Sequence, residues 1–382
     1  MKIGIIDADL ISRKKHRFPN LACMKISAYY KEQGHDVSLL LSYDEIENYD
    51  RIFISKVFTD TPVPEGITEL SWVEYGGTGF FYDKAPPLAP EIEHHMPDYH
   101  LYDGFVSGLI ETGVNPKSLS YYTDYSIGFT TRGCIRGCSF CVNKNYRACL
   151  LHSPVEEFVH PDRKYICLLD DNILSCRDWR AVFDSLNATG KRFQFKQGMD
   201  ERLLTDEKCE VIFGSKWIGD YIFAFDNIKD RRLVERKLQL MRKHTDRVPK
   251  FYVFCGYNHY DPDVYPDGFW EQDIRDVFER VKVLISHQAL PYVMRYADYS
   301  KSPYRGMYDT IARWCNQPGF IKKKSFREFV FNTPGQNKSA LVYLTEFERQ
   351  HPEIATEYFD MKWSDFDGTR NHITEPNYRG PL

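Results

Sequence analysis

The sequence has no run of about 18 apolar residues, which is the length that a transmembrane helix needs. Its first residues, MKIGIIDADLISRKKHR, lack the order of charge, apolar core and small residues that a signal peptide shows. The chain also lacks a large excess of charge of either sign, because its formal net charge is −4 over 382 residues. This balance gives no bulk attraction to nucleic acid or anionic lipid. We therefore expect a cytoplasmic protein that does not act at a membrane.

Disulfide bonds are not expected either, although the chain has ten cysteines. A chain of this length without a secretory signal fits a reducing compartment. Seven of the cysteines are scattered, and several of them lie in apolar runs, where a free thiol packs as a small hydrophobic group. We interpret these seven as core residues: Cys23, Cys149, Cys167, Cys176, Cys209, Cys255 and Cys315.

The other three cysteines, Cys134, Cys138 and Cys141, have the spacing C-x3-C-x2-C. An apolar, β-prone run leads into them. Gly133 and Gly137 each precede a cysteine, where a tight loop needs a permissive backbone. Thiolates packed this closely suit an iron–sulfur cluster or zinc. The sequence therefore predicts a soft-metal site on this loop.

With Phe140 directly before the last cysteine, the motif resembles that of radical S-adenosylmethionine (SAM) enzymes. The resemblance implies that the three thiolates hold a [4Fe–4S] cluster and leave one iron open for SAM. It implies reductive cleavage of SAM to a 5′-deoxyadenosyl radical, which activates an unidentified substrate by hydrogen abstraction. An external electron donor such as flavodoxin or ferredoxin is implied as well. Three ligands rather than four make sense because a closed site has no position for a substrate.

Residues 1–85 alternate apolar strands with a helical pattern, which predicts an α/β fold with a doubly wound (Rossmann-like) parallel sheet. This part resembles the cobalamin-binding-like domain that precedes many radical SAM domains. The glycines of Gly76-Gly-Thr-Gly79 match best, whereas no histidine follows Asp7-Ala-Asp9 as in the D-x-H-x-x-G element. A scaffold without a cofactor is therefore favoured over a cobalamin site. Residues 86–124, rich in proline at their start, are predicted to be a solvated linker.

From residue 125 onward, β-prone runs recur near residues 126–130, 165–169, 192–195, 221–225, 251–255 and 292–295, with helical patterns between most of them. Six strand–helix units predict a six-stranded partial (βα) barrel over residues 125–300, the form of the radical SAM core. Residues 301–382 show no repeat and no second cysteine group, and are predicted to be a C-terminal extension.

Functional residues of parallel barrels collect at the carboxyl ends of the strands. The resemblance implies that an acidic motif after the second strand, here Asp170 or Asp171, accepts from the SAM amino group; capping of a helix is the alternative. It implies that Arg202 meets the SAM carboxylate, with a surface salt bridge equally favoured.

Three further strand ends supply candidates. Asp226 is predicted to accept from the SAM ribose, and Gly256 to let the backbone approach adenine. Arg295 is predicted to contact SAM or the substrate. Phe140 is predicted to shield the cluster and to place adenine through its backbone.

Two alternative functions remain open at this point. The first is a cobalamin-dependent radical SAM methyltransferase or a methylthiotransferase. The second is a zinc-binding structural or nucleic-acid module that uses Cys138-x2-Cys141 and Cys149-x2-His152, although it leaves Cys134 unexplained. The substrate, whether a small molecule, a peptide or a nucleotide, is not indicated by the sequence.

Overall fold

The computed structural model describes residues 1–13, 15–332 and 338–366, which divide into two compact units. The first unit holds residues 1–196 and 216–218, and the second holds residues 197–215 and those from 219 onward. The division after residue 196 falls inside the stretch predicted to be one barrel. The four-part organisation inferred from the sequence stays a prediction.

The described residues form twelve strands. The first unit contains β1 (Lys2–Asp7), β2 (Asp36–Leu39), β3 (Arg51–Ser55), β4 (Val73–Gly76), β5 (Tyr125–Gly128), β6 (Thr131–Gly133), β7 (Cys149–Leu151), β8 (Tyr165–Leu168) and β9 (Arg192–Phe195). The second unit contains β10 (Ile222–Ala224), β11 (Lys250–Cys255) and β12 (Leu290–Arg295).

Helices connect most of these strands. The first unit contains α1 (Ala8–Ser12), α2 (Leu21–Glu32), α3 (Thr78–Phe81), α4 (Pro90–Glu93), α5 (Asp103–Glu111), α6 (Ser120–Thr123) and α7 (Trp179–Ala188). The second contains α8 (Asp206–Gly214), α9 (Arg231–Arg242), α10 (Phe269–Ser286), α11 (Arg305–Cys315), α12 (Pro318–Ile321), α13 (Phe326–Asn332), α14 (Lys338–Gln350) and α15 (Pro352–Tyr358). In the described ranges, no helix has the length and apolar character that crossing a bilayer requires.

The N-terminal sheet is parallel, with the strand order β2-β1-β3-β4. Its central strand β1 is apolar at successive positions, and Ile3, Ile5 and Ile6 are fully buried. A strand covered on both faces needs such an unbroken apolar run rather than alternation. The parallel sheet predicted for residues 1–85 is therefore confirmed, and it has four strands.

The two faces of this sheet are covered differently. The 12-residue helix α2 packs on one face, where Asn20 caps it by accepting from the Cys23 amide (3.3 Å). The opposite face is covered by loop side chains, among them Tyr43 and Trp72, and by the short helices α1 and α3. Prolines and glycine in the loop of residues 56–72 prevent a long helix there. The doubly wound arrangement is therefore not confirmed.

Residues 86–124, predicted to be a solvated linker, pack against the N-terminal sheet instead. They form α4, α5 and α6, and the side chains of Tyr99, Leu101, Tyr102 and Val106 are buried in the same core as α2. The physical reason is the aromatic and apolar content of this stretch, which outweighs the prolines at its start.

All six predicted barrel strands occur, as β5, β8, β9, β10, β11 and β12. They form two parallel sheets of three, β5-β8-β9 in the first unit and β10-β11-β12 in the second. A helix follows each of β8 to β12, as predicted, whereas β5 is followed by the antiparallel hairpin β6–β7. The sheets are mixed with helices in an α/β fold, but closure into a single six-stranded barrel is not confirmed. Residues from 367 onward, part of the predicted polar tail, lie outside the described residues.

Candidate metal centre

The three motif cysteines lie on the loop that joins β6 to β7. The hairpin register pairs Gly133 with Cys149, so the two ends of the loop lie side by side. Gly133 has φ +95°, and a Cβ at this position would lie 2.3 Å from the carbonyl oxygen of Ala148. This glycine is required by the backbone. Gly137, by contrast, has no positive φ, and a Cβ there would have the carbonyl oxygen of Lys144 as its nearest neighbour, at 3.9 Å.

Cys134, Cys138 and Cys141 form no disulfide bond, and each is half-buried. The sulfur of Cys134 accepts from the amide of Arg136 and from Nδ2 of Asn172, each at 3.3 Å. The sulfur of Cys141 accepts from the amide of Asn143 at 3.4 Å. N–H donors aimed at sulfur are the environment that stabilises thiolate ligands of a cluster.

Asp170, two residues beyond the end of β8, holds the chain that enters the hairpin. Its buried carboxylate accepts from the amides of Thr130 (3.0 Å) and Thr131 (2.7 Å) and from both threonine hydroxyls (2.5 and 2.7 Å). Burial raises the pKa of Asp170 to about 6, and the four hydrogen bonds oppose that rise. The carboxylate is thus fully occupied by its own chain.

The next two residues hold the loop itself. Asp171 accepts from the amide of Gly133 (2.8 Å) and from Nδ2 of Asn143 (2.7 Å). Asn172 is buried and donates Nδ2 to Cys134, while its Oδ1 is buried without a hydrogen-bond partner. An unpaired buried carbonyl oxygen is costly and marks a place where a donor is missing.

Phe140 lies between the second and third cysteines of this loop and is half-buried. Its backbone carbonyl accepts from the hydroxyl of Tyr82 at 3.0 Å. That contact ties the loop to the segment after β4 within the same unit. The role predicted for Phe140 beside adenine stays a prediction.

Among the residues that the structure describes, no three His, Cys, Asp or Glu side chains converge as ligands of a single metal ion. A cube of four irons is wider than one ion, so its thiolates do not meet at a point. The zinc alternative needs Cys149 and His152 beside the motif. Cys149 is buried against Thr131 and Ser175, and burial raises its pKa to about 11. His152 stacks on His94, with 5.3 Å between ring centroids.

In the second unit, the predicted contact Arg202 is already paired. Its Nε donates to Asp200 at 2.6 Å, and its Nη1 lies 3.5 Å from Asp230. Glu201, which stands between Asp200 and Arg202 in the chain, is 2% exposed, and its Oε2 has no hydrogen-bond partner. Burial and the neighbouring Asp200 charge raise the pKa of Glu201 to about 8, so this carboxyl is protonated at neutral pH.

Asp226 follows β10, and burial raises its pKa to about 6 even though the Arg280 guanidinium favours the ionised form. Arg280 is itself buried, and its Nη1 donates to the carbonyls of Phe225 (3.0 Å), Asp226 (2.9 Å) and Phe254 (2.8 Å). One guanidinium therefore joins the carboxyl ends of β10 and β11. The ribose contact assigned to Asp226 stays a prediction.

The last two predicted contacts follow β11 and end β12. Gly256 has φ +75°, donates its amide to Asp273 at 2.7 Å, and approaches Tyr299 so closely that a Cβ would lie 2.9 Å from the Tyr299 Cβ. Arg295 pairs with Asp309 and donates to the Tyr299 hydroxyl at 3.2 Å. Both residues lie where the sequence placed them, and their contacts with SAM stay predictions.

Three functional candidates escaped sequence analysis, namely Asn172, Glu201 and Arg280. Asn172 belongs to the polar triplet after β8 and was passed over for its acidic neighbours. Glu201 stands directly before Arg202 in a polar run typical of a surface turn. Arg280 carries no sequence signal beyond its place in the predicted helix, since only tertiary packing brings it to the strand ends.

No protein-family model matches the sequence, and no curated protein matches it. Among solved structures, the chain is similar to the radical SAM methyltransferase TsrM from Kitasatospora setae with cobalamin and a [4Fe–4S] cluster bound, at 12% identity and a TM-score of 0.48, covering 77% of this chain and 74% of TsrM. It is also similar to the cobalamin-dependent SAM radical enzyme OxsB with aqua-cobalamin and SAM bound, at 11% identity and a TM-score of 0.35.

The match to OxsB covers 94% of this chain but only 56% of OxsB. Both comparisons name enzymes of the superfamily that the C-x3-C-x2-C motif resembles. Both also name cobalamin.

Proposed function

We propose that this chain is a radical SAM enzyme. The observation that carries the proposal lies within one compact unit: three cysteines without a disulfide bond on the β6–β7 loop, with the polar triplet after β8 bonded to that loop and to the Cys134 sulfur. When bound, a [4Fe–4S] cluster would supply the electron for reductive cleavage of the SAM sulfonium. The residues described below would hold the cluster and orient SAM.

Cys134, Cys138 and Cys141 would hold the cluster. Asp170 fixes the entry of the loop through four hydrogen bonds, and Asp171 fixes Gly133 and Asn143. Preorganised loops of this kind reduce the ordering cost when a ligand or metal enters. The two carboxylates therefore bond to backbone amides and side chains of the protein itself and are poor candidates for a direct SAM contact.

Asn172 is the better candidate to accept a hydrogen bond from the SAM amino group. Its Oδ1 is buried and lacks a donor, while its Nδ2 is committed to the Cys134 sulfur. An ammonium group beside the open iron would supply the missing hydrogen bond. The contacts predicted for Phe140, Arg202, Asp226, Gly256 and Arg295 remain proposals, and the substrate is unidentified.

Anaerobic reconstitution with iron and sulfide tests the proposal. We expect a brown protein with absorbance near roughly 400 nm from thiolate-ligated iron, lost in Cys138→Ala and retained in the control Cys209→Ala, whose buried thiol lies on α8. After reduction with dithionite, SAM should be cleaved. A colourless protein that holds one zinc ion would contradict the proposal.

A second candidate is a cobalamin-dependent methyltransferase of the same superfamily. Ligands of open parallel sheets bind outside the carboxyl ends of the strands, at the point where strand order reverses. Here Asp7 and Ser55, which end β1 and β3, are buried and accept from Tyr102 and Asn20, whereas a Cβ at Gly76, which ends β4, would meet no atom within 4 Å. The space at Gly76 is the observation that favours a bound cofactor.

Added hydroxocobalamin distinguishes the two candidates. Under the second, cobalamin should remain bound after gel filtration and raise the melting temperature, as any ligand of the folded state does. S-adenosylhomocysteine should then appear with 5′-deoxyadenosine among the products. Protein that stays cobalamin-free and releases only 5′-deoxyadenosine would restrict the function to the first candidate.

A further inference from the structure

The sheet β5-β8-β9 has one face that is covered by α7 and an opposite face that is aromatic and carries a lysine. Phe193 and Phe195 pack on α7, with ring centroids 5.9 and 5.6 Å from that of Phe183. Because side chains alternate along a strand, Gln194 and Lys196 lie on the opposite face. We call that opposite face the lysine face, and within the first unit it comprises Phe18, Tyr121, Tyr125, Ile127, Tyr165, Cys167, Leu169, Gln194, Lys196 and Ile218.

The lysine face holds an ammonium group without an acidic partner. Nζ of Lys196 donates to the Tyr121 hydroxyl at 2.9 Å and lies 4.5 Å from the centroid of the Tyr121 ring. In the part of the chain that the structure describes, no carboxylate pairs with this half-buried ammonium. An ammonium has three N–H donors, so two of them remain for a ligand.

The Tyr121 hydroxyl has a donor to spare as well. Its oxygen accepts from Lys196 and from Nε2 of Gln194, the latter at 3.1 Å, and its own O–H donates to none of the described residues. A hydroxyl whose two lone pairs are occupied can act only as a donor. The hydroxyl and the ammonium together therefore favour a ligand group that accepts several hydrogen bonds and is negatively charged, as a carboxylate is.

The surroundings of this pair are aromatic and only partly covered. The Tyr121 ring lies 4.9 Å from that of Phe18 and 4.7 Å from that of Tyr125, which in turn lies 5.2 Å from the ring of Tyr165. Phe18, Tyr121 and Tyr165 are half-buried. Lys196 is the one charged residue of the lysine face, which matches a single negative charge on an otherwise apolar, planar ligand.

The lysine lies at the edge of the sheet that also carries the candidate metal centre. The strand register aligns Gly128, Leu168 and Phe195, and the amide of Lys196 donates to the Leu168 carbonyl at 2.8 Å. The chain therefore leaves β9 beside the place where it leaves β8 for the polar triplet that holds the cysteine loop. A ligand bound to Lys196 would thus lie at the edge of the sheet where the proposed chemistry occurs.

We propose that Lys196 and Tyr121 bind the carboxylate of an aromatic carboxylic acid, and that such acids are the substrate class of this enzyme. The inference rests on the proposed function, in which a second small molecule binds together with SAM. The ammonium and the hydroxyl bind and orient the substrate, and neither takes part in making or breaking a bond. The carboxylate of SAM is the other source of the same chemistry, so the experiment must separate the two.

The test uses the reconstituted holoenzyme without reductant, so that SAM stays intact, and phenylacetate as the probe. Phenylacetamide has the same ring without the charge, and inorganic phosphate has charge without a ring. The Kd of each is measured by anaerobic isothermal titration calorimetry, with and without saturating SAM. Lys196→Met removes the cation, Lys196→Arg keeps it, and Tyr121→Phe removes only the hydroxyl. Lys164→Met is the matched control, because Lys164 directly precedes β8 and pairs with Asp124 at 2.8 Å.

We expect phenylacetate to bind about tenfold more tightly than phenylacetamide or phosphate, since only phenylacetate satisfies both the cation and the rings. Its Kd should rise about tenfold in Lys196→Met and about fivefold in Tyr121→Phe, from the loss of a charged and of a neutral hydrogen bond. The Kd should stay the same in Lys164→Met and in the presence of SAM. If Lys196→Met loses its iron, Lys196→Arg and Tyr121→Phe decide instead, the first binding phenylacetate and the second binding it more weakly.

Several outcomes would overturn the inference. One is phenylacetate that binds no more tightly than phenylacetamide or phosphate, and another is binding that Lys196→Met and Tyr121→Phe leave unchanged. Displacement of phenylacetate by SAM, or a Kd for SAM that rises in Lys196→Met, would assign the site to the SAM carboxylate and not to a substrate. A parent that binds phenylacetate but cleaves no SAM under dithionite would refute the proposed function and leave the carboxylate site in place.

Discussion

The three polar residues after β8 make different hydrogen bonds at the candidate metal centre. Asp170 bonds to the chain before the hairpin, Asp171 bonds to the loop, and Asn172 bonds to a cysteine sulfur. Three consecutive residues can do this because they leave the strand in irregular backbone, with successive side chains pointing in different directions. Each of these three side chains thus has a different set of hydrogen-bond partners.

Replacing Asn172 with leucine should lower the reduction potential of the cluster. Hydrogen bonds to cluster sulfurs favour the reduced, more negative state, and Asn172→Leu removes the one from Nδ2 to Cys134 at 3.3 Å while nearly keeping the volume. The potential is measured by redox titration with EPR detection in the absence of SAM. Loss of the Oδ1 contact with a ligand therefore does not enter the result.

Asn187→Leu serves as the control for that measurement, since Asn187 lies at the end of α7, away from any motif cysteine in the sequence. Its potential should equal the parent's. A potential in Asn172→Leu that equals or exceeds the parent's would show that the amide does not act on the cluster.

The sequence indicated the place of this triplet but not the sharing of roles within it. Strand β8 was recognisable from its apolar run, so the position of Asp170 and Asp171 just beyond its carboxyl end was predicted correctly, while their role at a site stays a prediction. Which oxygen is free, however, depends on Thr130, Thr131 and Asn143, which are brought to the triplet only by the fold. Nothing in a single sequence distinguishes an acid that binds a ligand from one that binds its own backbone.

At the scale of elements, the strands were predictable and the hairpin was not. Each of the six later strands is a short apolar run bounded by polar residues, which is a local signal. The hairpin β6–β7 has three residues in each strand, and exposed Leu150 and Leu151 break the alternation expected of a half-buried strand. Residues 86–124 differ from prediction for the opposite reason, because prolines at their start obscured the buried aromatic residues that follow.

The hairpin makes a testable distinction between two glycines that look alike in the sequence. Gly133→Ala puts a Cβ 2.3 Å from the Ala148 carbonyl at φ +95°, whereas Gly137→Ala meets nothing closer than 3.9 Å. We expect Gly133→Ala to lose about 2 kcal/mol of stability and most of its iron after reconstitution. Gly137→Ala should load iron as the parent does.

Iron and sulfide content per chain, with the melting temperature of the cluster-free protein, measures both effects. Equal iron loading in the two variants would mean that the loop tolerates a strained residue at its start. In that case the hydrogen bond from the Gly133 amide to Asp171 would not be what preorganises the cysteines.

The whole molecule has a consequence that no single site shows. Burial raises the pKa of Asp7 to about 7, of Asp170 and Asp226 each to about 6, and of Glu201 to about 8. In each case the folded chain holds a proton that the unfolded chain has already released. Folding therefore takes up protons between roughly pH 4 and 8, and the unfolding free energy falls as pH rises through that range.

Carboxyls whose pKa is lowered by folding determine how the unfolding free energy falls at acidic pH. The pKa of Asp98 is lowered because hydrogen bonds from Lys31 and Ser27 outweigh its burial, so its contribution is lost as pH falls through that lowered value. The melting temperature should therefore be highest at mildly acidic pH and decline toward pH 8.5. A chain with formal charge −4 would not by itself predict this, because the effect comes from a few buried groups and not from the net charge.

Glu201→Gln isolates the largest of these contributions. The variant keeps the shape and cannot ionise, so its melting temperature should decline less steeply than the parent's from pH 5 to 8.5, and the decline that is left comes from Asp7, Asp170 and Asp226. At the upper end we expect its unfolding free energy to exceed the parent's by roughly 3 kcal/mol, from the linkage between pKa and stability. Glu210→Gln, an exposed position on α8, should follow the parent at every pH. If Glu201→Gln declines as steeply as the parent, Glu201 is ionised in the folded protein, and the unpartnered Oε2 must then find a cation that the described contacts do not include.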